Sequence, residues 1–308
     1  MEQTIPVVSL ADGERDPERF EAQLGNALRD LGFVAVEDHG IPQRVFDDVY
    51  ADFARFFALE EAAKRRYERP DEGRARGYTS FGVEHAKDRA VPDLKEFFHV
   101  GREADPDHPR RKGLMANQWP EEIPGLRAHT LALFEALDRV AARLLAAVGG
   151  HLGVERDRLP DLARDGNSVL RVIHYPVCDG FDAPGAMRAA EHEDINLMTL
   201  LPPSPQSGLE LLTRDGEWLP IHAIEGQIIV DTGDMMSRIT NGALPATTHR
   251  VVNPDGEPEA RYSMPFFVHP HVEAMLEVLP PCQGDDDPPP VGAQDFLMER
   301  LRAIGVAK

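Results

Sequence analysis

Ala190-Glu191-His192-Glu193-Asp194-Ile195-Asn196-Leu197-Met198-Thr199-Leu200-Leu201 is the stretch that governs how the rest of the chain is read. It sets a histidine and a carboxylate two residues apart at the head of an apolar run, Ile195 to Leu201, that reads as a strand. Successive side chains of a strand alternate faces, so this reading points His192 and Asp194 one way and Glu193 the other. Two such groups on one face can share a metal ion. By itself His-x-Asp is short enough to arise by chance, and an exposed His-Glu-Asp is equally the composition of a solvated turn. A metal site therefore needs further ligands from elsewhere.

Downstream of Gly166 the chain reads as short strands separated by Gly and Pro: Ser168 to Tyr175, Ile195 to Leu201, Leu209 to Thr213, Trp218 to Ile221, Gln227 to Asp231, Thr247 to Asn253 and Arg261 to His269. Short strands at near-regular spacing predict a sandwich, barrel or jelly roll. Upstream, Ile5 to Leu10 is strand-like, and Phe20, Leu24, Ala27 and Leu28 have helical spacing within Asp16 to Asp30. Gly32 stops that helix, Phe33 to Val36 reads as a second strand, and Asp38 to Pro42 as its turn, with His39 making a local hydrogen bond. Helical patterns follow over Val45 to Leu59 and Gly125 to Leu152, with looser sequence over residues 68 to 120. The expected organisation is a helical region over 1–120, a long core-packing helix within 121–165, a β core over 166–272, and a loop and helix over 273–308.

With 33 basic against 53 acidic residues the chain carries a net charge of -20, which opposes nucleic acid or an anionic membrane as partner. No run approaches the roughly 20 apolar residues of a membrane span, and Met1-Glu2-Gln3-Thr4 lacks a signal peptide's basic and apolar regions. The expectation is a cytoplasmic protein, a monomer or weak homo-oligomer. Cys178 and Cys282 have no paired spacing, so they are read as inert thiols.

Candidate third ligands downstream are His222, His249, His269 and His271. His249 is best placed, because Thr247 to Asn253 is a strand that closure of a barrel can bring beside the first. His222 lies near a hairpin turn, and His269-Pro270-His271 at a strand end. Two histidines and one carboxylate on one face of a metal leave open positions, the arrangement of non-haem Fe(II) oxygenases, and the same atoms also suit zinc. Alternation puts Arg261 and Ser263 on one face, where a guanidinium beside a hydroxyl suits a carboxylate. An isolated Arg-x-Ser is also what an edge strand paired to a surface acid carries.

The order Tyr175-Pro176, His192-Glu193-Asp194, Gly208-Leu209-Glu210-Leu211, Gly233-Asp234, Asn241-Gly242, His249-Arg250-Val251 and Arg261-Tyr262-Ser263 resembles the isopenicillin N synthase-like family of Fe(II)/2-oxoglutarate-dependent oxygenases. Ile5-Pro6-Val7-Val8, Gly32-Phe33 and Asp38 to Pro42 resemble that family's N-terminal region, so the likeness runs along nearly the whole chain. The resemblance implies a mainly β fold, a double-stranded β-helix or jelly roll with flanking helices. It implies His192, Asp194 and His249 as iron ligands, and Arg261, Ser263 and Tyr175 as contacts to 2-oxoglutarate. The family's chemistry couples O2 and oxidative decarboxylation of 2-oxoglutarate, to succinate and CO2, with hydroxylation, desaturation or cyclisation of a small molecule.

The chain departs from the family pattern in two places. Ile173-His174-Tyr175-Pro176 stands where members often have Asn-Tyr-Tyr-Pro, so only Tyr175 carries over, and His174 faces the opposite way. Ile195-Asn196-Leu197 replaces an aromatic and Gly-Thr, which alters the pocket floor. Two other readings stand beside the first: an iron oxidase or cyclase of the same fold that does not consume 2-oxoglutarate, and a metal-binding jelly-roll sensor without turnover. Tyr78, Phe81, Phe98 and Phe267 are candidate pocket liners, and no basic cluster marks a second anionic group of the substrate.

Overall fold

Gly32 shows how the amino-terminal elements are joined to the rest of the chain. The computed structural model describes residues 4–84, 91–177, 186–204, 206–221, 224–253 and 259–303. It begins with β1 (Val7–Ser9), α1 (Asp12–Arg15) and α2 (Pro17–Leu31). Pro17 opens α2 where its missing N–H has no helical partner to lose, and Asp16 accepts a hydrogen bond from Arg19 N at 3.2 Å. Gly32 ends the helix at a φ of 69°, and a Cβ there would lie 2.0 Å from Thr247 Oγ1. The same Thr247 hydroxyl donates to Leu31 O at 3.0 Å, so the start of β2 (Phe33–Glu37) is held against the segment that leads into His249.

After α3 (Gln43–Phe57) and α4 (Glu61–Arg65) come β3 (Gly77–Thr79), β4 (Glu96–Gly101), the long α5 (Leu126–His151), α6 (Arg158–Ala163) and β5 (Val169–Tyr175). The remaining elements are β6 (Ala189–His192), β7 (Met198–Leu201), β8 (Leu209–Leu212), β9 (Trp218–Ile221), β10 (Ile228–Thr232), α7 (Asp234–Ile239), β11 (His249–Val251), β12 (Arg261–Ser263), β13 (Phe266–Val268), β14 (Met275–Leu276), β15 (Val291–Gly292) and α8 (Ala293–Ala303). The large sheet runs β1-β2-β10-β7-β13-β5-β4-β3, with β12 also on β5, and a smaller sheet runs β6-β11-β8-β9. This is a jelly-roll core with flanking helices.

The large sheet is buried on both faces, which explains why its strands read as continuous apolar runs. In β2, Val34 and Val36 belong to the cluster under α2, α3 and α5, whereas Phe33 and Ala35 belong to the one facing the small sheet. The predicted stripes Phe20, Leu24, Leu28 and Leu133, Leu137, Leu144 are all buried in the first cluster. Burying one such side chain contributes about 1.5–3 kcal/mol.

Several segment readings change. Ile195 to Leu201 is not one strand: only Met198–Leu201 is β7, and it lies in the large sheet whereas β6 lies in the small one. The stretch around His192 is therefore a crossover between layers. Arg261 to His269 divides into β12 and β13, both paired with β5. Residues 68 to 120, read as loops, contain β4, buried along its whole length and paired with β5 from Glu96↔His174 to Gly101↔Val169. Among the described residues no helix is long and apolar enough to cross a membrane.

Candidate active site

β6 and β11 are antiparallel neighbours with His192 opposite His249, and the two ring centroids lie 4.4 Å apart. His249 Nε2 is 3.9 Å from Asp194 Oδ1, and one ligand atom from each of the three residues lies within 4.8 Å of the others. Each imidazole has Nδ1 against the backbone carbonyl two residues earlier, His192 on Ala190 O at 2.7 Å and His249 on Thr247 O at 3.2 Å. An N–H at Nδ1 donates to that carbonyl and leaves the Nε2 lone pair for a metal. Desolvation first, and the His249 imidazole second, push His192 down to about 4, although the residue is exposed at the site's edge. Its neutral form is the one a metal requires.

Asp194 lies beyond the end of β6, so its orientation comes from the crossover rather than from strand alternation. Thr199 Oγ1 donates to Asp194 Oδ2, and Asn196 Nδ2 donates to Thr199 Oγ1 at 2.8 Å. The Asp194 carbonyl accepts from Asp234 N at 2.7 Å, at the start of α7. Gly233 is needed for that approach, because a Cβ there would lie 2.7 Å from Asp194 O and 2.5 Å from Asn196 O. Asp231 faces Thr199 across the β10–β7 pair. Burial, then the charge of Asp194, raise its carboxyl well above the ordinary range.

Further along the same interior, Arg261 pairs with Tyr175 across β12 and β5, and Ser263 with Ile173. Arg261, Ser263 and Tyr175 are 2%, 4% and 2% exposed, and the Arg261 guanidinium carbon lies 5.2 Å from the Tyr175 ring centre. Arg261 Nε and Nη1 are buried and have no hydrogen-bond partner among the described residues. A buried guanidinium with two unmet donors is unfavourable unless an anion completes it. The donor set thus fits a carboxylate ligand, and the His-Asp-His set fits a divalent first-row metal.

Residues 166–270 match the 2OG-Fe(II) oxygenase superfamily, and residues 5–122 match a second family described as non-haem dioxygenase in morphine synthesis N-terminal. A 2-oxoglutarate-Fe(II) type oxidoreductase of Metarhizium majus is 31% identical over 97% of this chain and 93% of its own length. The chain belongs to the 2OG-Fe(II) oxygenase superfamily. A proline hydroxylase of Petromyces alliaceus is 31% identical to this oxygenase over 85% of each chain. A crystal structure of a 2OG-Fe(II) oxygenase family protein from Caulobacter crescentus superposes with a TM-score of 0.88 at 40% identity, covering 97% of this chain and 98% of that one. A Neurospora crassa protein in complex with alpha-KG, 24% identical, shares the fold with a TM-score of 0.87 over 97% and 96% of the two chains. The chain is a 2-oxoglutarate- and Fe(II)-dependent oxygenase.

Other candidate residues of the oxygenase are placed as follows. Among the described residues His192, Asp194 and His249 are the group able to hold a metal; His269-Pro270-His271 does not form one, and His222 lies outside the described residues. His39 is a buried turn residue whose Nδ1 accepts from Ile41 N at 3.1 Å. His174 faces away from the site, stacked on Tyr262 at 4.7 Å and bonded to Glu96 at 2.8 Å. Tyr78 and Phe98 pack beneath the helices, whereas Phe267 pairs with Thr199 and is half-buried. Phe81 is exposed. Cys282 is a free thiol, and Cys178 lies outside the described residues.

Sequence reasoning missed Thr199, Asp231 and a cluster formed by Glu84, Asp93, Lys95 and Arg171, and it placed Asn196 on the pocket floor without its bond to Thr199. Polar residues inside apolar strands, such as Thr199 in Met198–Leu201 and Asp231 in Ile228–Thr232, were the available signal.

Proposed function

We propose that His192, Asp194 and His249 hold the Fe(II) of this oxygenase, and that Arg261, Ser263 and Tyr175 receive the distal carboxylate of 2-oxoglutarate. The observation that carries the assignment is Arg261, buried at 2% exposure with Nε and Nη1 unpartnered among the described residues. Bound iron supplies the redox chemistry, with O2 as oxidant, 2-oxoglutarate as the source of two electrons, and succinate and CO2 as products.

The chain's own residues bind, orient and enclose. The Nδ1 contacts of the two histidines to Ala190 O and Thr247 O set which nitrogen faces the metal. Thr199 holds the second oxygen of Asp194, which leaves Oδ1 toward His249. Arg261, held on β12 against Tyr175 of β5, meets the carboxylate with donors that need no rearrangement. The apolar wall of Phe33, Ile173, Leu211 and Val251 limits water in the interior.

The reading extends to a small-molecule substrate that is hydroxylated, desaturated or cyclised, and to a cytoplasmic monomer or weak homo-oligomer. Adding Fe(II) and 2-oxoglutarate anaerobically is expected to produce a weak visible charge-transfer band that Arg261→Leu removes. A band that survives in Arg261→Leu, with succinate formation unchanged, would place the cosubstrate elsewhere.

A further inference from the structure

Arg171 lies on the face of β5 that carries Ile173 and Tyr175, four residues before Tyr175, about 13 Å along the strand. Arg261 and Tyr175 occupy one end of the interior, and Arg171 occupies the other. Thr199, whose hydroxyl holds the Asp194 carboxylate, is the cross-strand partner of Phe267, and the Phe267 ring centre is 5.4 Å from the Arg171 guanidinium. Phe97 approaches the guanidinium at 4.3 Å. Arg171 is thus packed between two rings, two side chains removed from a metal ligand.

Two of its five N–H donors are committed. Arg171 Nε donates to His99 Nε2 at 2.6 Å, and the His99 Nδ1–H in turn faces Arg74 O at 3.1 Å. Arg171 Nη1 donates to Glu84 Oε2 at 3.1 Å. Nη2 has no hydrogen-bond partner among the described residues, and the side chain keeps 19% of its surface accessible. A guanidinium grips a carboxylate through a pair of neighbouring nitrogens. The Nε–Nη2 edge is closed by His99, and Nη1 gives one of its two N–H groups to Glu84.

Arg171 shares its carboxylate with a second cation. Lys95 lies 2.7 Å from Glu84 and 2.8 Å from Asp93, so two cations meet two carboxylates. Asp93 Oδ1 accepts from Ala190 N at 3.1 Å, which fastens this cluster to β6 beside His192. What the cluster offers is the Nη2 amino group on an arm whose charge, among the described residues, is matched by Glu84.

We propose that Arg171 is a specificity-determining residue that anchors the substrate through Nη2, and that with Glu84 neutralising it the site selects a small molecule bearing a neutral carbonyl oxygen over a carboxylate. The proposal rests on the metal and cosubstrate assignment above. The aromatic walls of Phe97 and Phe267 suit a flat or compact ring next to that carbonyl.

The test uses the Fe(II)-loaded protein with 2-oxoglutarate and O2, reading succinate release stimulated by three sets of compounds. These are cyclic lactams and imides such as 2-piperidone and succinimide, ring carboxylates such as cyclohexanecarboxylate, and amines without an acceptor such as piperidine. Stimulation is expected from the lactam and imide set. In Arg171→Gln the KM of the best stimulant is expected to rise about ten- to a hundredfold, more than the KM for 2-oxoglutarate, as loss of a hydrogen bond from a charged donor predicts. Arg171→Lys is expected not to rescue, because an ammonium cannot serve His99, Glu84 and substrate in one plane. Glu84→Gln leaves one cation uncompensated and is expected to shift preference toward the carboxylate set. Stimulation confined to carboxylates or amines, no stimulation by any set, equal KM increases for both substrates, or an unchanged preference in Glu84→Gln would overturn the proposal. The anaerobic band and unstimulated succinate release of the wild-type protein report the underlying site separately.

Discussion

Arg261 and Arg171 are two arginines on the same interior, one near each end of β5, and their surroundings are opposite. Arg261 is buried with two nitrogens unpartnered among the described residues, whereas Arg171 has Nε on His99 and Nη1 on Glu84. The first is arranged for an anion that arrives from outside, and the second is neutralised by the protein itself. Residue type alone therefore does not say what an interior guanidinium binds; its unused donors and local charge do.

Asp194→Ala is expected to abolish iron binding and turnover, read as iron content after desalting; full iron content would move the metal and undo the geometry. Arg261→Leu is expected to raise the KM for 2-oxoglutarate about thirtyfold or more, since truncating a buried charge partner costs about 2–5 kcal/mol. A change under threefold would make the two arginines alike. A paired cation on the other face of the same sheet offers a purely structural contrast. Lys64 contacts Glu96 at 2.7 Å, both nearly buried, and Lys64→Met is expected to cost about 3 kcal/mol in urea unfolding. Its KM values should stay unchanged in the folded fraction.

Acid should weaken the Arg171 side. Burial first, and Arg171 second, hold His99 well below the ordinary 6.5. As pH falls below about 6.5 the unfolded chain takes up protons that folded His99 refuses, so stability declines with acidification. His99→Gln is expected to flatten the slope of unfolding free energy against pH between 7 and 5; an unchanged slope assigns the acid sensitivity elsewhere. The smallest effect is expected at Glu193, an exposed residue whose carboxylate accepts from Thr248 Oγ1 at 3.1 Å. Glu193→Ala should keep iron and alter turnover by about twofold at most, within the range of ordinary surface substitutions.

Much of this arrangement was readable in the residues. The strand pattern after Gly166 and the amphipathic stripes of α2 and α5 led to a jelly roll flanked by helices, because burial periodicity is a local property. The sequence pairs His192 with Asp194 through strand alternation, whereas β6 ends at His192. They share a site because the chain leaves β6 at His192 and turns toward β7, where Thr199 and the Asp234 amide at the start of α7 capture Asp194. Strand alternation had no part in it.

The pocket liners show the same limit. Phe98 reads as a pocket liner in the sequence, but pairing with β5 sends it beneath the helices and turns Phe97 and His99 toward Arg171. One residue of register separates the two outcomes, and register depends on partners far away in sequence.

The sequence by itself determined the chemistry available to this protein: two imidazoles, one carboxylate and an Arg-x-Ser pair, on strands whose apolar alternation forms a closed β core. Only the tertiary structure decided which charges would remain unpaired inside it. Glu84 and Asp93 come from one side of the chain and Arg171 from another, and they meet Lys95 only when β4 pairs with β5. Long-range pairing sets the net charge at each end of the interior, and that separates an arginine that awaits a carboxylate from one that already has its own.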